Sequence, residues 1–264
     1  DYQRVPLDAR IERADDTATW WRRETVSFSA AYDADRMIAH LYLPRNAEPP
    51  YQVVVYRPGA AVNWLTRIDD FGSSVPEFLM RSGRAVAVPA YWGTLERGGG
   101  RPIPDGAGYR NRVIRQVNDA RRTIDYVETR PDVDAGRLAY VGLSAGGEYG
   151  AIYVAVESRF DVAAFLAGGF HDSHMLGEPR EVNPWHYAPR VRIPVLMVNG
   201  DNDFTLPVAT AQKPLANLLG TPGEHVRHVI LAGGHVPADR PALIREVLDW
   251  LDRYLGPVET MPPS

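Results

Sequence analysis

Residues 142–146 read Gly-Leu-Ser-Ala-Gly, directly after the apolar run Leu138–Val141 and directly before a helical pattern over Gly147–Glu157. A serine held between two glycines in a strand-to-helix turn is a nucleophile elbow. The turn is so tight that the serine takes strained dihedrals, and side chains two residues before and after it would collide. Glycine at 142 and 146 removes that collision. Ser144 then stands above the strand end, beside the free N–H groups of a helix start. Its hydroxyl is a weak nucleophile and needs a base, which in turn needs an orienting carboxylate.

In strand–turn–helix sites of this kind the carboxylate and then the histidine follow the serine along the chain. The run Pro194–Val198 leads into Asn199-Gly200-Asp201-Asn202-Asp203 and then into Phe204-Thr205-Leu206-Pro207 and a helix. Asp201 and Asp203 compete for the acid position, and Asp201, next to the strand, also suits the capping of a turn. The run Val226–Leu231 ends in Ala232-Gly233-Gly234-His235, again before a helix. His235 combines a strand end, a glycine approach and the required order. His225 and His228, beside and within the strand, read as exposed or packed histidines.

The elements that must hold these residues follow from the apolar pattern. Thr25–Ala31 and Met37–Leu43 are β-rich, with Asp33–Arg36 as turn residues, and predict a hairpin. From Pro49-Pro50 onward, Tyr51–Tyr56, Ala85–Val88, Leu138–Val141, Val162–Leu166, Val195–Val198 and Val226–Leu231 predict buried strands. Val75–Ser82, Val113–Thr129, Gly147–Glu157, Pro207–Leu219 and Arg240–Leu255 predict helices between or after them. In the last, Leu243, Val247, Trp250 and Leu251 share a face, with Arg245 and Glu246 on another. This alternation means an α/β fold with a mostly parallel sheet of about eight strands, an N-terminal antiparallel hairpin and helices on both faces. A single domain over 1–264 is expected, with Asp1–Arg23 as an N-terminal arm and residues 256–264 as a flexible tail.

Composition bounds the chemistry. The chain has 264 residues, 45% hydrophobic, which bury a sizeable core without staples. With no cysteine, disulfide scaffolds, thiol nucleophiles, iron–sulfur clusters and thiolate zinc sites are excluded. The net charge of −4 is spread over both signs, which leaves no electrostatic footprint for nucleic acid. Apolar runs such as Val53–Val55 and Val195–Val198 are too short to span a membrane. All basic residues but Lys213 are arginine, a coding bias rather than a functional signal. The compartment stays open: cytoplasmic if the chain is complete, whereas a start at Asp1 without Met suggests a removed signal peptide or upstream domain.

With these residues in place the chain resembles an α/β-hydrolase, closest to the dienelactone hydrolase and prolyl-oligopeptidase-like branch of serine esterases and peptidases. The likeness covers about residues 24–255. Gly200-Asp201-Asn202-Asp203 with Pro207 matches that branch's acid motif and Gly233-Gly234-His235 its histidine motif. The resemblance implies Asp203, not Asp201, as the acid, completing Ser144 and His235. Pro49–Tyr56, Arg81–Val86 and Ile193–Met197 also resemble hydrolase domains appended to bacterial serine/threonine kinases, although the chain has no kinase signature. Many relatives shape an oxyanion hole with His-Gly-Gly after the third strand. Here the matching stretch is Tyr56-Arg57-Pro58-Gly59-Ala60-Ala61. The resemblance implies backbone donors at Ala60 and at Ala145, since Pro58 has no N–H to give. Arg57 stands at an often aromatic position, and its role is left open.

A catalytic serine hydrolase of this kind needs no cofactor and no metal. The expected reaction is hydrolysis of small or short-chain carboxylic esters, with a small-molecule ester as partner and a homo-oligomer left open. A prolyl-oligopeptidase-like peptidase and a non-catalytic module of a kinase-associated domain are the alternatives. Pocket residues are expected in the loops after strands: Trp64, Trp92, His171 and Trp185, with Tyr91 and Tyr187 as further aromatics that pocket or core could claim. His171-Asp172-Ser173-His174, near His186, reads as a polar rim and not a metal site, because no helical ligand spacing supports it. Arg97-Gly98-Gly99-Gly100-Arg101 is either a mobile flap or a solvated turn. Glu148, one helical turn after Ser144, is suited to a buried ion pair. The insertions Tyr91–Arg110 and Gly168–Arg190 are loop-sized, so no large cap domain is expected.

Overall fold

The structure is a computed structural model that describes residues 2–74, 77–172 and 178–262. Its backbone gathers into two compact units, one made of Asp1–Tyr56, Ala61–Arg137 and Val258–Ser264, the other of Arg57–Ala60 and Leu138–Pro257.

The first unit holds β1 (Arg10–Asp15), β2 (Trp21–Ser29), β3 (Arg36–Pro44), β4 (Tyr51–Arg57) and β5 (Ala85–Pro89). They lie in the order β1-β2-β3-β5-β4, antiparallel as far as β5, which runs parallel to β4. The expected hairpin is β2–β3, with Ser29 opposite Arg36. Val26 and Phe28 of β2 are fully buried, and Phe28 stacks on Tyr126 of the long helix α2 (Gly106–Val127), ring centroids 5.2 Å apart.

Three expectations for this unit need correction. Asp1–Arg23 is not only an arm: it contains β1, which brings the strand count to nine rather than about eight. β1 is an exposed edge strand of sequence Arg-Ile-Glu-Arg-Ala-Asp, and an edge with no buried face shows no apolar alternation to read. Helix α2 starts at Gly106, not Val113, because its first turns are largely exposed and carry no apolar stripe. Arg97 is neither flap nor solvated turn. Its side chain is 5% exposed and donates to Asp119, Asp35 and the Tyr32 hydroxyl at 2.7–2.8 Å. Helix α1 (Glu77–Arg81) lies inside the expected Val75–Ser82, whose Val75 and Pro76 are outside the described residues, as are Asp1, Pro263 and Ser264.

The second unit is built on parallel strands. β6 (Val133–Leu143) leads into it, followed by β7 (Val162–Leu166), β8 (Val195–Gly200) and β9 (Val226–Leu231), paired in that order. β7 and β8 are buried throughout, as their continuous apolar runs require of strands covered on both faces. β9 is not the buried strand expected. As an edge strand it is only half-buried, and Ile230 is exposed.

The helix expected over Gly147–Glu157 is two pieces, α3 (Ala145–Glu148) and α4 (Gly150–Val156), broken at Tyr149. The one expected over Pro207–Leu219 opens with a wide π-type turn, Val208–Gln212, before α5 (Lys213–Leu218). Pro214 explains the break, because it has no N–H with which to continue an α-helical ladder. The last helix, α6 (Arg240–Leu255), has the expected bounds. Leu243, Val247, Trp250, Leu251 and Leu255 are buried, it packs on β7 and β8, and Asp239 caps the Ala242 N–H.

Candidate active site

The elbow occupies the end of β6. Ser144 has φ 53° and ψ −116°, a conformation that costs an L-residue of order 1–3 kcal/mol and persists only where its surroundings enforce it. They do so by close approach. A Cβ on Gly142 would lie 2.3 Å from the Gly146 carbonyl oxygen, and one on Gly146 would lie 2.1 Å from the Arg57 carbonyl oxygen. The Ser144 N–H donates to the Leu166 carbonyl at 2.8 Å, and the Tyr140 hydroxyl donates to the Gly146 carbonyl at 2.7 Å. Backbone crowding, not side-chain chemistry, is why glycine stands at 142 and 146.

Asp203 and His235 come to this serine from the ends of β8 and β9. His235 Nε2 is 2.8 Å from Ser144 Oγ, and its Nδ1 is 2.9 Å from Asp203 Oδ2. Asp203 is almost fully buried, and its other oxygen accepts the Thr205 and Leu206 N–H groups, each at 2.9 Å. An ionised carboxylate can only accept, so the shared proton sits on Nδ1. Nε2 is then a lone-pair acceptor aimed at the serine O–H, the tautomer needed by a base.

Asp201 does something else. Its Oδ1 accepts the Gly233 N–H at 2.9 Å and the Asn202 side-chain amide at 2.8 Å, tying the two loops together. Gly200 permits this approach, since a Cβ there would lie 1.8 Å from the Gly234 carbonyl oxygen. Two buried amides that sequence reading did not single out hold the same region. Asn199 donates to the Gly168 carbonyl at 2.8 Å, and Gln212 donates to the carbonyls of Leu206 at 2.8 Å and Gly200 at 3.2 Å. Neither carries a pattern that a single sequence could reveal.

On the other side of Ser144 lies the loop Arg57–Ala60. A Cβ on Gly59 would stand 3.2 Å from Ser144 Cβ and 3.8 Å from its Oγ. Ala60 follows directly and is exposed, while Ala145 opens α3 directly after the serine. Arg57 itself is buried, donating from Nη1 to the Pro58 carbonyl at 2.7 Å and from Nε to the Tyr153 hydroxyl at 3.4 Å. Glu148, on α3, has its carboxyl pushed up to about 7, first by burial and further by Glu178 and Asp203, against the opposing charge of Arg57. The ion-pair expectation for Glu148 is therefore only half the account: a second carboxyl, Glu178, faces it, held by the Tyr149 hydroxyl at 2.9 Å.

The remaining candidates are scattered in their roles. Trp185 packs on Phe170 with ring centroids 4.7 Å apart and stays partly exposed, and His171 is exposed on the segment after Phe170. Trp64 and Trp92 belong to the first unit. Trp64 is exposed, whereas Trp92 is half-buried, lies under Arg115 and donates its backbone N–H to Asp119 at 2.7 Å. Tyr91 is core, wholly buried with its hydroxyl on the Tyr56 carbonyl at 3.2 Å. Ser173 and His174 of the expected polar rim lie outside the described residues. Among the described residues there is no cluster of three or more metal-ligating side chains, and no helix is long and apolar enough to cross a membrane.

No protein-family model matches the sequence, and no curated protein sequence matches it either. The fold does have solved counterparts. An acetyl xylan esterase from Paenibacillus sp. R4 superposes with a TM-score of 0.69 at 19% identity, over 95% of this chain and 90% of that one. A glucuronoyl esterase from Solibacter usitatus gives 0.64 at 16%, over 95% and 88%. A putative dipeptidyl aminopeptidase IV from Bacteroides ovatus gives 0.70 at 18%, over 91% of this chain but 37% of that one. With an antiparallel run at the N-terminal end of the first unit, parallel strands β6 to β9 in the second and a strained serine turn at the end of β6, the chain has the α/β-hydrolase fold.

Proposed function

We propose that the protein is a serine carboxylesterase that hydrolyses short-chain or small carboxylic esters through an acyl-enzyme on Ser144. The observation that carries this reading is the unbroken line Ser144 Oγ, His235 Nε2, His235 Nδ1, Asp203 Oδ2, with separations of 2.8 and 2.9 Å across its two hydrogen bonds. A strained serine within hydrogen-bond reach of an imidazole that a buried carboxylate holds in turn is a costly arrangement for a purely structural turn.

His235 takes the Ser144 proton as Oγ attacks the ester carbonyl, and Asp203 stabilises the imidazolium. The tetrahedral oxyanion is received by the N–H groups of Ala60 and Ala145. His235 returns the proton to the departing alcohol, and water then repeats the sequence on the acyl-enzyme, releasing the acid. Trp185 and His171 are assigned to the surroundings of the substrate. The branch assignment, dienelactone hydrolase and prolyl-oligopeptidase-like, and the likeness to kinase-appended hydrolases belong to this same reading. Esterase activity in structural neighbours supports the class of reaction, not the substrate.

A peptidase is the second reading, favoured by the fold shared with the putative dipeptidyl aminopeptidase. A panel of p-nitrophenyl esters from acetyl to decanoyl, run beside chromogenic dipeptides, separates the two. The esterase reading expects turnover to peak at acetyl to butyryl and to vanish in Ser144→Ala. Peptide cleavage exceeding ester cleavage selects the peptidase, and no Ser144-dependent turnover of either selects a non-catalytic module.

A further inference from the structure

Arg57 ends β4 at the entrance to the loop beside Ser144, with only 5% of its surface exposed. A guanidinium is buried only where its donors are used. Here Nη1 donates to the carbonyl of the next residue, Pro58, at 2.7 Å. On its other side Nε reaches the Tyr153 hydroxyl at 3.4 Å, and Tyr153 is stacked on Tyr140 with ring centroids 5.3 Å apart. Tyr140 is itself bonded to the Gly146 carbonyl, and the Arg57 carbonyl is pressed against Gly146. The side chain thus ties the loop to the strand and helix that form the elbow.

The bond to Pro58 has a consequence for the next two residues. The Pro58 carbonyl lies in the same rigid plane as the Gly59 N–H, so holding the oxygen fixes that plane. Gly59 packs closely on Ser144, where a Cβ would lie 3.2 Å from Ser144 Cβ, and its lack of a Cβ leaves the loop free to turn unless something outside restrains it. A charged donor makes a stronger restraint than a neutral one. An oxyanion donor needs such restraint, because it acts only in the transition state and a small misplacement forfeits most of its effect.

We propose that Arg57 is a positioning residue: by binding the Pro58 carbonyl it fixes the Pro58–Gly59 peptide, the anchor of the loop beside Ser144, and so narrows the positions open to the Ala60 N–H, one peptide further on, that receives the ester oxygen as it becomes negatively charged. This rests on the serine-esterase reading of the site. Arg57 does not touch substrate and moves no proton. A lysine cannot replace it fully, since one ammonium on a flexible stem cannot present the two differently directed donors of a planar guanidinium.

The test compares wild type, Ser144→Ala, Arg57→Met, which keeps most of the side-chain volume, and Arg57→Lys. With p-nitrophenyl acetate, Arg57→Met should lower kcat about 30- to 300-fold with KM within about threefold, the signature of an interaction made in the transition state. Affinity for a trifluoromethyl ketone, whose adduct carries the oxyanion, should fall by a similar factor. Arg57→Lys should lie between Arg57→Met and wild type. Independently of activity, amide hydrogen exchange at Gly59 and Ala60 should accelerate in both variants while the α6 amides keep their protection. Wild-type-like kcat, ketone affinity and exchange in a folded Arg57→Met overturn the inference, as does a loss confined to KM. Should Arg57→Met not fold, Arg57→Lys decides by the same readouts. Ester turnover persisting in Ser144→Ala sinks the reading of the site instead, and the exchange measurement still judges the restraint by Arg57.

Discussion

The Asp201 carboxylate accepts the Gly233 N–H at 2.9 Å, so the loops that carry Asp203 and His235 are laced together by a different carboxylate from the one that meets the imidazole. Two aspartates two residues apart thus divide the work. One sets the distance between loops, and the other orients the ring.

That division predicts unequal mutants. Asp203→Asn removes the acceptor that fixes the Nδ1–H tautomer and should lower kcat about 10²- to 10⁴-fold with little loss of stability. Asp201→Asn keeps an Oδ1 able to accept from Gly233 and should cost less than about fivefold in kcat and about 1 kcal/mol in stability. Steady-state kinetics with urea denaturation of both variants checks this, and a larger loss in Asp201→Asn would reverse the assignment.

Gly200 is the contact on which the lacing depends. Gly200→Ala places a Cβ 1.8 Å from the Gly234 carbonyl oxygen, and both partners are backbone at strand ends. The loops must move apart, costing about 3 kcal/mol in stability and drawing His235 away from Asp203. Activity should fall more than about 100-fold, and a Gly200→Ala variant with wild-type melting and turnover would refute the close approach.

The strain at Ser144 is measurable by removing it. Ser144→Ala keeps the Cβ that makes φ 53° unfavourable, whereas Ser144→Gly does not. Both should be inactive, yet Ser144→Gly should be about 1 kcal/mol more stable than Ser144→Ala, the relief exceeding the extra entropy of glycine in the unfolded chain. Equal stability of the two by chemical denaturation would show an unstrained elbow.

Glu148 gives a pH signature with a definite sign. Its carboxyl is pushed up to about 7 in the folded protein, chiefly by burial, against an ordinary value of 4.5. Between those values the native state holds a proton that the unfolded state has released, so stability is lost as pH rises through the window and levels off above it. The loss reaches about 3 kcal/mol at most. Glu148→Gln stays neutral and escapes it. Its stability relative to wild type should therefore improve from pH 5 to pH 8, by an amount that denaturation curves at the two pH values resolve. An unchanged difference would place the carboxyl in its ordinary range.

What the sequence by itself determined was whatever is written in short stretches. Gly142–Gly146 encodes a turn in which Gly142 meets the Gly146 carbonyl within the motif itself, and Arg240–Leu255 encodes a helix in its own apolar spacing and cap, so both could be read directly, whereas the approach of the Arg57 carbonyl to Gly146 could not. β1 could not, because an exposed charged edge strand exists through its pairing with β2 and has no apolar period of its own. The difference between Asp201 and Asp203 was not local either. Both leave β8 in the same loop, and only the fold decides which faces a histidine 32 residues further on and which meets a backbone N–H. Arg57 and Glu148 are the clearest cases. An arginine and a glutamate look like surface residues in any local window, yet the fold buries both, bringing the Tyr153 hydroxyl to Arg57 and the Glu178 carboxyl to Glu148, where burial first and Glu178 next push the Glu148 carboxyl up. Propensity and periodicity act over one or two turns of chain, whereas desolvation and hydrogen-bond partners are set by which segments the sheet brings together.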